Sequence, residues 1–292
     1  MAKTAALKAL EVETQGLLVG PSYNRSPLQK ILQDELREVR LHDALTNVVI
    51  PAFDIKRIAP TIFSTFKIEE VPALDAKLSD ICLGTSAAPT YLAPHYFENA
   101  NQEFHLIDGG VSALNPGLAA ISEVAQQKKA NPGILPMMKD PSDFTNFVMI
   151  SLGCGTEPKN ATHDARKAYW WGTLRWIFGP VIEFMYGGSQ DMIDYHLLTL
   201  FRTTDLEDFY LRIQDDALSE EMVKLDNSSK QNLGNLETFA KELLNKPVKR
   251  MNLNTFEFKP VPGKGTNADA LKRMAKLLYD EKQNRLKGNS SN

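Results

Sequence analysis

The chain has 292 residues, 43% of them hydrophobic and 24% charged, which is enough apolar material for one large domain or two small ones with a core. A net charge of −3 and a pI near 6.0 give no basic excess of the kind nucleic acids attract. Two cysteines, Cys82 and Cys154, exclude a disulfide framework and a cysteine-spaced metal site, and suit a reducing compartment.

The first residues, MAKTAALKAL, read as a short helix with Ala5, Leu7 and Leu10 apolar, not as the long apolar core of a secretory signal. Ser26-Pro27-Leu28, continued by Leu32 and Leu36, predicts a capped amphipathic helix with Pro27 in its first turn. Leu45 to Ile50, running on to Asp54, and Thr61 to Phe66 are rich in β-branched and aromatic residues. They predict two short strands around a proline-marked turn. A third strand ends at Leu106-Ile107 and enters Asp108-Gly109-Gly110 directly. Asn115-Pro116 then opens a helix through Leu118, Ile121 and Val124. Phe147 to Ile150 reads as a buried strand leading into Gly153-Cys154-Gly155-Thr156, and the order strand, loop, helix, strand predicts an α/β layered architecture.

Past residue 160 the pattern is mostly helical, interrupted by a late strand at Phe209 to Ile213. The last helix begins near Thr266-Asn267-Ala268-Asp269, and the tail KGNSSN is expected to fray. The apolar stretch Ala168 to Tyr186 contains Arg175, Gly179, Pro180 and Glu183 and makes no credible membrane span. All three tryptophans fall in KAYWWGTLRWIFGPVIEFMYGG. The expectation there is a helix packed on the sheet, with a lipid-facing surface as the alternative.

Three places could carry chemistry. Asp108 ends an apolar strand where open α/β sheets place their ligands, and the glycines after it permit a tight turn beside a substrate. Its carboxylate is a candidate general base; the competing reading is an Asp-Gly turn that bonds its own backbone. Ser86, in Gly84-Thr85-Ser86-Ala87-Ala88, imitates the small-residue setting of a nucleophilic serine. Gly153-Cys154-Gly155-Thr156 lacks the lysine of a phosphate loop and reads as a tight turn, with Cys154 a buried, inert thiol. The histidines His42, His95, His105, His163 and His196 show no metal-ligand spacing.

The runs LDAKLSDICLGTSAAPTYLAPHYF, EFHLIDGGVSALNPGLAAISEVA and VMISLGCGT strongly resemble the patatin family of plant lipid acyl hydrolases. PSYNRSPLQKILQDELREVRLHDALTNVVIPAFDIKRIAPTIF upstream and DFYLRIQDDAL and ALKRMAKLLYDEK downstream resemble it in the same order. The resemblance implies an α/β patatin-like fold of the cytosolic-phospholipase type, a layered sheet with helices and a helical C-terminal portion. It assigns 1–122 to the phospholipase catalytic domain and 123–292 to the remainder of the same structural domain.

The activity implied is hydrolysis of phospholipid and galactolipid acyl esters by a serine–aspartate dyad. Asp108 corresponds to its proton-accepting aspartate, and Gly109 and Gly110 to the loop glycines. The family's Gly-x-Ser-x-Gly elbow and glycine-rich oxyanion loop have no counterpart in this sequence, so the chain is expected to be N-terminally truncated and, as it stands, inactive. Ser86 then aligns with a structural "APTY" segment and not with the nucleophile. No cofactor and no metal is expected. The expected partners are membrane lipids or acyl-ester substrates, with peripheral membrane contact and self-association, and no nucleic acid. The expected compartment is the cytoplasm, with the vacuole as the family's alternative. A storage or lipid-binding remnant, or the product of a partial gene, is the competing function.

Overall fold

The computed structural model describes residues 20–133, 138–142, 147–156, 163–177 and 180–289. The expected helix around Ala5 to Leu10 lies outside them. The chain divides into two compact units, Met1–Ser142 and Asp143–Asn292. Each mixes helices with a sheet, and the chain is α/β as its element order predicts.

The first unit opens with α1 (Ser26–Leu36). Arg25, not Ser26, stands at its cap position and supplies no side-chain bond. Asn24 Oδ1 accepts from the Ser26 N–H at 2.9 Å instead, because Ser26 and Pro27 already belong to the first turn. Strands β1 (Val49–Asp54) and β2 (Ala59–Ser64) form an antiparallel hairpin. Its turn is Ile55 to Ile58, not a proline turn: Pro51 and Pro60 sit inside the strands. Asp54 Oδ1 makes the turn, accepting from the N–H groups of Lys56 and Arg57 at 2.9 and 3.0 Å.

Helix α2 (Leu78–Thr85) and strand β3 (His95–Asn99) follow, neither of which the sequence pattern indicates. β3 pairs antiparallel with β4 (Gln102–Ile107) across Ala100-Asn101. Both turn residues have positive φ, 47° and 62°, the primed geometry that matches strand twist in a two-residue hairpin. The sheet order is β2-β1-β4-β3. Every pairing in it is antiparallel, so Asp108 ends a strand of an antiparallel sheet and not of the open parallel kind. Phe63, Phe97 and Phe104 fill its core, with Phe104 stacked on Phe97 at 4.8 Å between ring centroids. Helix α3 (Gly117–Ala130) follows, its entry fixed by Asn115 Oδ1, which accepts from the Gly117 N–H at 3.0 Å.

In the second unit β5 (Met149–Leu152) runs parallel to β6 (Tyr210–Ile213). Between them lie α4 (Ala165–Ala168), α5 (Thr173–Ile177) and the 23-residue α6 (Val181–Thr203). Buried Arg212 donates from Nε to Asp194 Oδ2 at 3.2 Å and from Nη1 to Ser151 Oγ at 3.1 Å, so its charge is matched and bonded on two sides. After α7 (Glu220–Val223) and α8 (Lys230–Asn245), the short hairpin β7 (Lys249–Met251) and β8 (Phe258–Pro260) leads to α9 (Asn267–Asn289). The Asp269 carboxylate accepts from the Thr266 N–H at 3.0 Å, while Thr266 Oγ1 accepts from the Asp269 N–H at 3.2 Å. This reciprocal cap starts α9 where the sequence predicts it. The helix continues through Asn289, into the segment expected to fray.

Phe104 is fully buried against Phe63 and Phe97, and its removal leaves a cavity in the core. Phe104→Ala should destabilise the first unit by about 3–5 kcal/mol, read as a lower urea midpoint with the slope unchanged.

Candidate active site

Strand β4 alternates, burying Phe104 and Leu106 and leaving His105 and Ile107 half-covered, so Asp108 emerges at its end partly exposed. The carboxylate is held locally: Oδ1 accepts from the Gly110 N–H at 2.6 Å and caps the short 3₁₀ turn Gly109–Val111. Oδ2 has no hydrogen bond among the described residues. One oxygen thus serves the turn while the other remains available as an acceptor. The two readings of Asp108, turn residue and base, are compatible in this geometry.

Three segments fix the loop from outside. The Asp108 N–H donates to the Ala87 carbonyl at 3.0 Å. The Thr85 hydroxyl donates to the Pro51 carbonyl at 2.6 Å. Gly109 lies directly on that same carbonyl: a Cβ there would stand 2.1 Å from Pro51 O. Backbone cannot yield as a side-chain tip can, so only glycine fits. Gly110 is less constrained, since a Cβ would meet the Asp108 carboxylate at 3.0 Å and Leu114 at 3.3 Å. Pro51, Thr85 and Ala87 are the positioning residues that local sequence reading misses. They come from β1, the end of α2 and the segment after it, and no short-range pattern links them.

Ser86 follows the last residue of α2, and its Oγ donates to the Cys82 carbonyl at 2.6 Å. An elbow serine stands between a strand and the start of a helix; Ser86 stands at the end of one, with its proton held by a carbonyl. His95 is buried between Arg25 and Asp80. Its Nδ1 lies 3.1 Å from Arg25 Nη1 and its Nε2 lies 2.9 Å from Asp80 Oδ1. An arginine only donates, so Nδ1 accepts and the Nε2–H donates to Asp80. His105 faces Glu103 and the Tyr96 ring. Neither histidine hydrogen-bonds to Asp108.

Three of the four N–H groups of the Gly153–Thr156 segment are already used. Gly153 donates to Ile213 O at 2.9 Å, Gly155 to Gln214 Oε1 at 3.3 Å and Thr156 to Asp215 O at 3.1 Å. Cys154 is exposed and not buried as the sequence reading expects, and burial raises the pKa of the Cys82 thiol instead. Among the described residues no cluster of three or more His, Cys, Asp or Glu could hold a metal ion.

The sequence profile of the family described as patatin-like phospholipase matches residues 5–121. Patatin-like protein 1 of Arabidopsis thaliana is 42% identical over 276 residues, covering 91% of this chain and 66% of the relative. Patatin-like protein 2 of Oryza sativa subsp. japonica is 40% identical over 285 residues, covering 93% and 70%. Patatin-07 of Solanum tuberosum is 38% identical over 275 residues, covering 92% and 68%. The chain belongs to the patatin-like family and spans about two thirds of the length of these relatives.

Gly109→Ala drives a methyl group into the Pro51 carbonyl, whereas Gly110→Ala meets groups that can shift. The first should lower the thermal midpoint of the protein by several degrees, in line with a loss of roughly 1–3 kcal/mol, and the second much less. Equal midpoints for the two variants in differential scanning calorimetry would mean that the close approach is not a constraint.

Proposed function

We propose that this chain serves the hydrolysis of acyl esters of membrane phospholipids and galactolipids, with Asp108 as the proton acceptor. The observation that carries the reading is the Asp108 carboxylate itself. One oxygen is fixed by Gly110, the other is open, and the loop beneath it is locked on Pro51. The sequence contains no Gly-x-Ser-x-Gly, so the serine would come from the portion of the relatives that lies outside the match.

In this scheme the serine Oγ attacks the acyl carbonyl as its proton passes to Asp108. The tetrahedral intermediate collapses, and the departing alcohol takes that proton, leaving an acyl-enzyme. Water then attacks the acyl-enzyme and gives one proton to Asp108. The serine leaves as it regains that proton, and a fatty acid is released. Asp108 cycles between two protonation states and ends as it began. Gly109 and Gly110 contribute by keeping the carboxylate in place.

Without a nucleophile and its oxyanion donors most of the rate acceleration is missing. The chain alone should therefore hydrolyse a p-nitrophenyl ester no faster than an unrelated protein, which is also what a storage or lipid-binding role requires. The two readings separate once the N-terminal segment of a close relative is joined in register. The joined protein should hydrolyse the ester, Asp108→Asn should lower its rate about 10²–10⁴-fold, and Ser86→Ala should leave it unchanged. A joined protein in which Asp108→Asn is as fast as its parent overturns the assignment of Asp108.

A further inference from the structure

The second unit carries an apolar surface that the site does not use. The side chains that helix α6 buries lie in its second half: Asp194, Leu197, Leu198 and Phe201. Its first turns are largely exposed although they are rich in apolar residues: Ile182 is 56% and Met185 69% exposed. Tyr169 and Trp170, just past α4, are 79% and 82% exposed and pack edge-on against each other at 4.9 Å. A Cβ built on Gly172, Gly187 or Gly188 meets nothing within 4 Å, so the space beside these three positions is open.

The aromatic residues around it hold one another. Trp171 lies 5.2 Å from Trp176, which faces Phe184 at 6.5 Å, and the Arg175 guanidinium sits 4.8 Å above Trp171. Arg166, Lys167 and Arg175 stand exposed beside the rings; of the nearby acids, Asp164 is paired with Arg166. Rings with one polar edge, interleaved with cations, match the boundary of an anionic bilayer. The apolar bodies enter the acyl margin and the cations meet lipid phosphates. No described helix is long and apolar enough to cross a membrane, so the fit is to lying on the surface.

We infer that the surface formed by Tyr169, Trp170, Ile182 and Met185, flanked by Arg166, Lys167 and Arg175, docks the protein on an anionic lipid bilayer. The inference rests on the acyl-ester reading for its purpose, since it states how a membrane-borne ester would be met. It is tested without turnover, so its failure and that of the hydrolase reading are distinguishable.

All three tryptophans of the chain lie in this surface, so intrinsic fluorescence reports on it alone. Added vesicles of phosphatidylcholine and phosphatidylglycerol should shift tryptophan emission to the blue and carry the full chain into the pellet, and brominated lipid should quench the emission. Phosphatidylcholine alone should bind more weakly, and added salt should weaken the anionic binding. Tyr169→Ala with Trp170→Ala should reduce partitioning by at least about tenfold, the loss expected for two buried aromatic side chains, with circular dichroism unchanged. Wild-type emission that ignores both vesicle types overturns the inference. So does a blue shift that grows with protein concentration without lipid, which would make a second copy the occupant.

Discussion

The carbonyl of Pro51 is the point on which the candidate site rests. Proline has no N–H, so β1 loses one ladder donor there, but its carbonyl gains two neighbours from distant parts of the chain. The Thr85 hydroxyl bonds it, and the bare α-carbon of Gly109 covers it. This contact ties a central strand, the end of α2 and the Asp108 loop into one body. The Asp108 N–H, donating to Ala87, closes the link on the other side. A carboxylate held this way needs no histidine to orient it, and the two nearest candidates by sequence, His95 and His105, have other partners.

The sequence showed most where one physical signal dominated. α1, β4, α3, β6 and α9 follow from apolar spacing and from caps such as Thr266 with Asp269. α2 was hidden because Leu78–Thr85 has only eight residues, about two turns, too few for a helical period to stand out. β3 was hidden because its turn is Ala100-Asn101, without the glycine that usually announces a two-residue hairpin. The β1–β2 turn was misplaced because prolines mark turns in most sequences. Here Pro51 and Pro60 lie in the ladder, and an aspartate builds the turn. Asp108 was visible from its motif and from the resemblance. Its supports were not, since Pro51, Thr85 and Ala87 meet it only through tertiary folding.

The second unit shows two opposite treatments of charged and apolar groups. Arg212 is buried at the cost of its hydration, which Asp194 and Ser151 offset, so a buried ion pair and a serine hydroxyl join β5, β6 and α6. A few turns away along α6, the apolar side chains of Ile182 and Met185 stand more than half exposed. Apolar residues at helical spacing usually lie in a core, which is why packing on the sheet was the expectation for the tryptophan-rich stretch. Trp170, just past α4, and Met185, in the first turns of α6, are instead 82% and 69% exposed.

The account stands or falls on where the open oxygen of Asp108 points when a serine is present. The direct measurement is a crystal structure of the chain joined to a relative's N-terminal segment and trapped with an acyl-ester-mimicking phosphonate. The account predicts Asp108 Oδ2 within about 3.2 Å of the modified serine Oγ, with Oδ1 still on the Gly110 N–H and Gly109 still on the Pro51 carbonyl. A serine bonded to another residue, with Asp108 facing only its own turn, would contradict it.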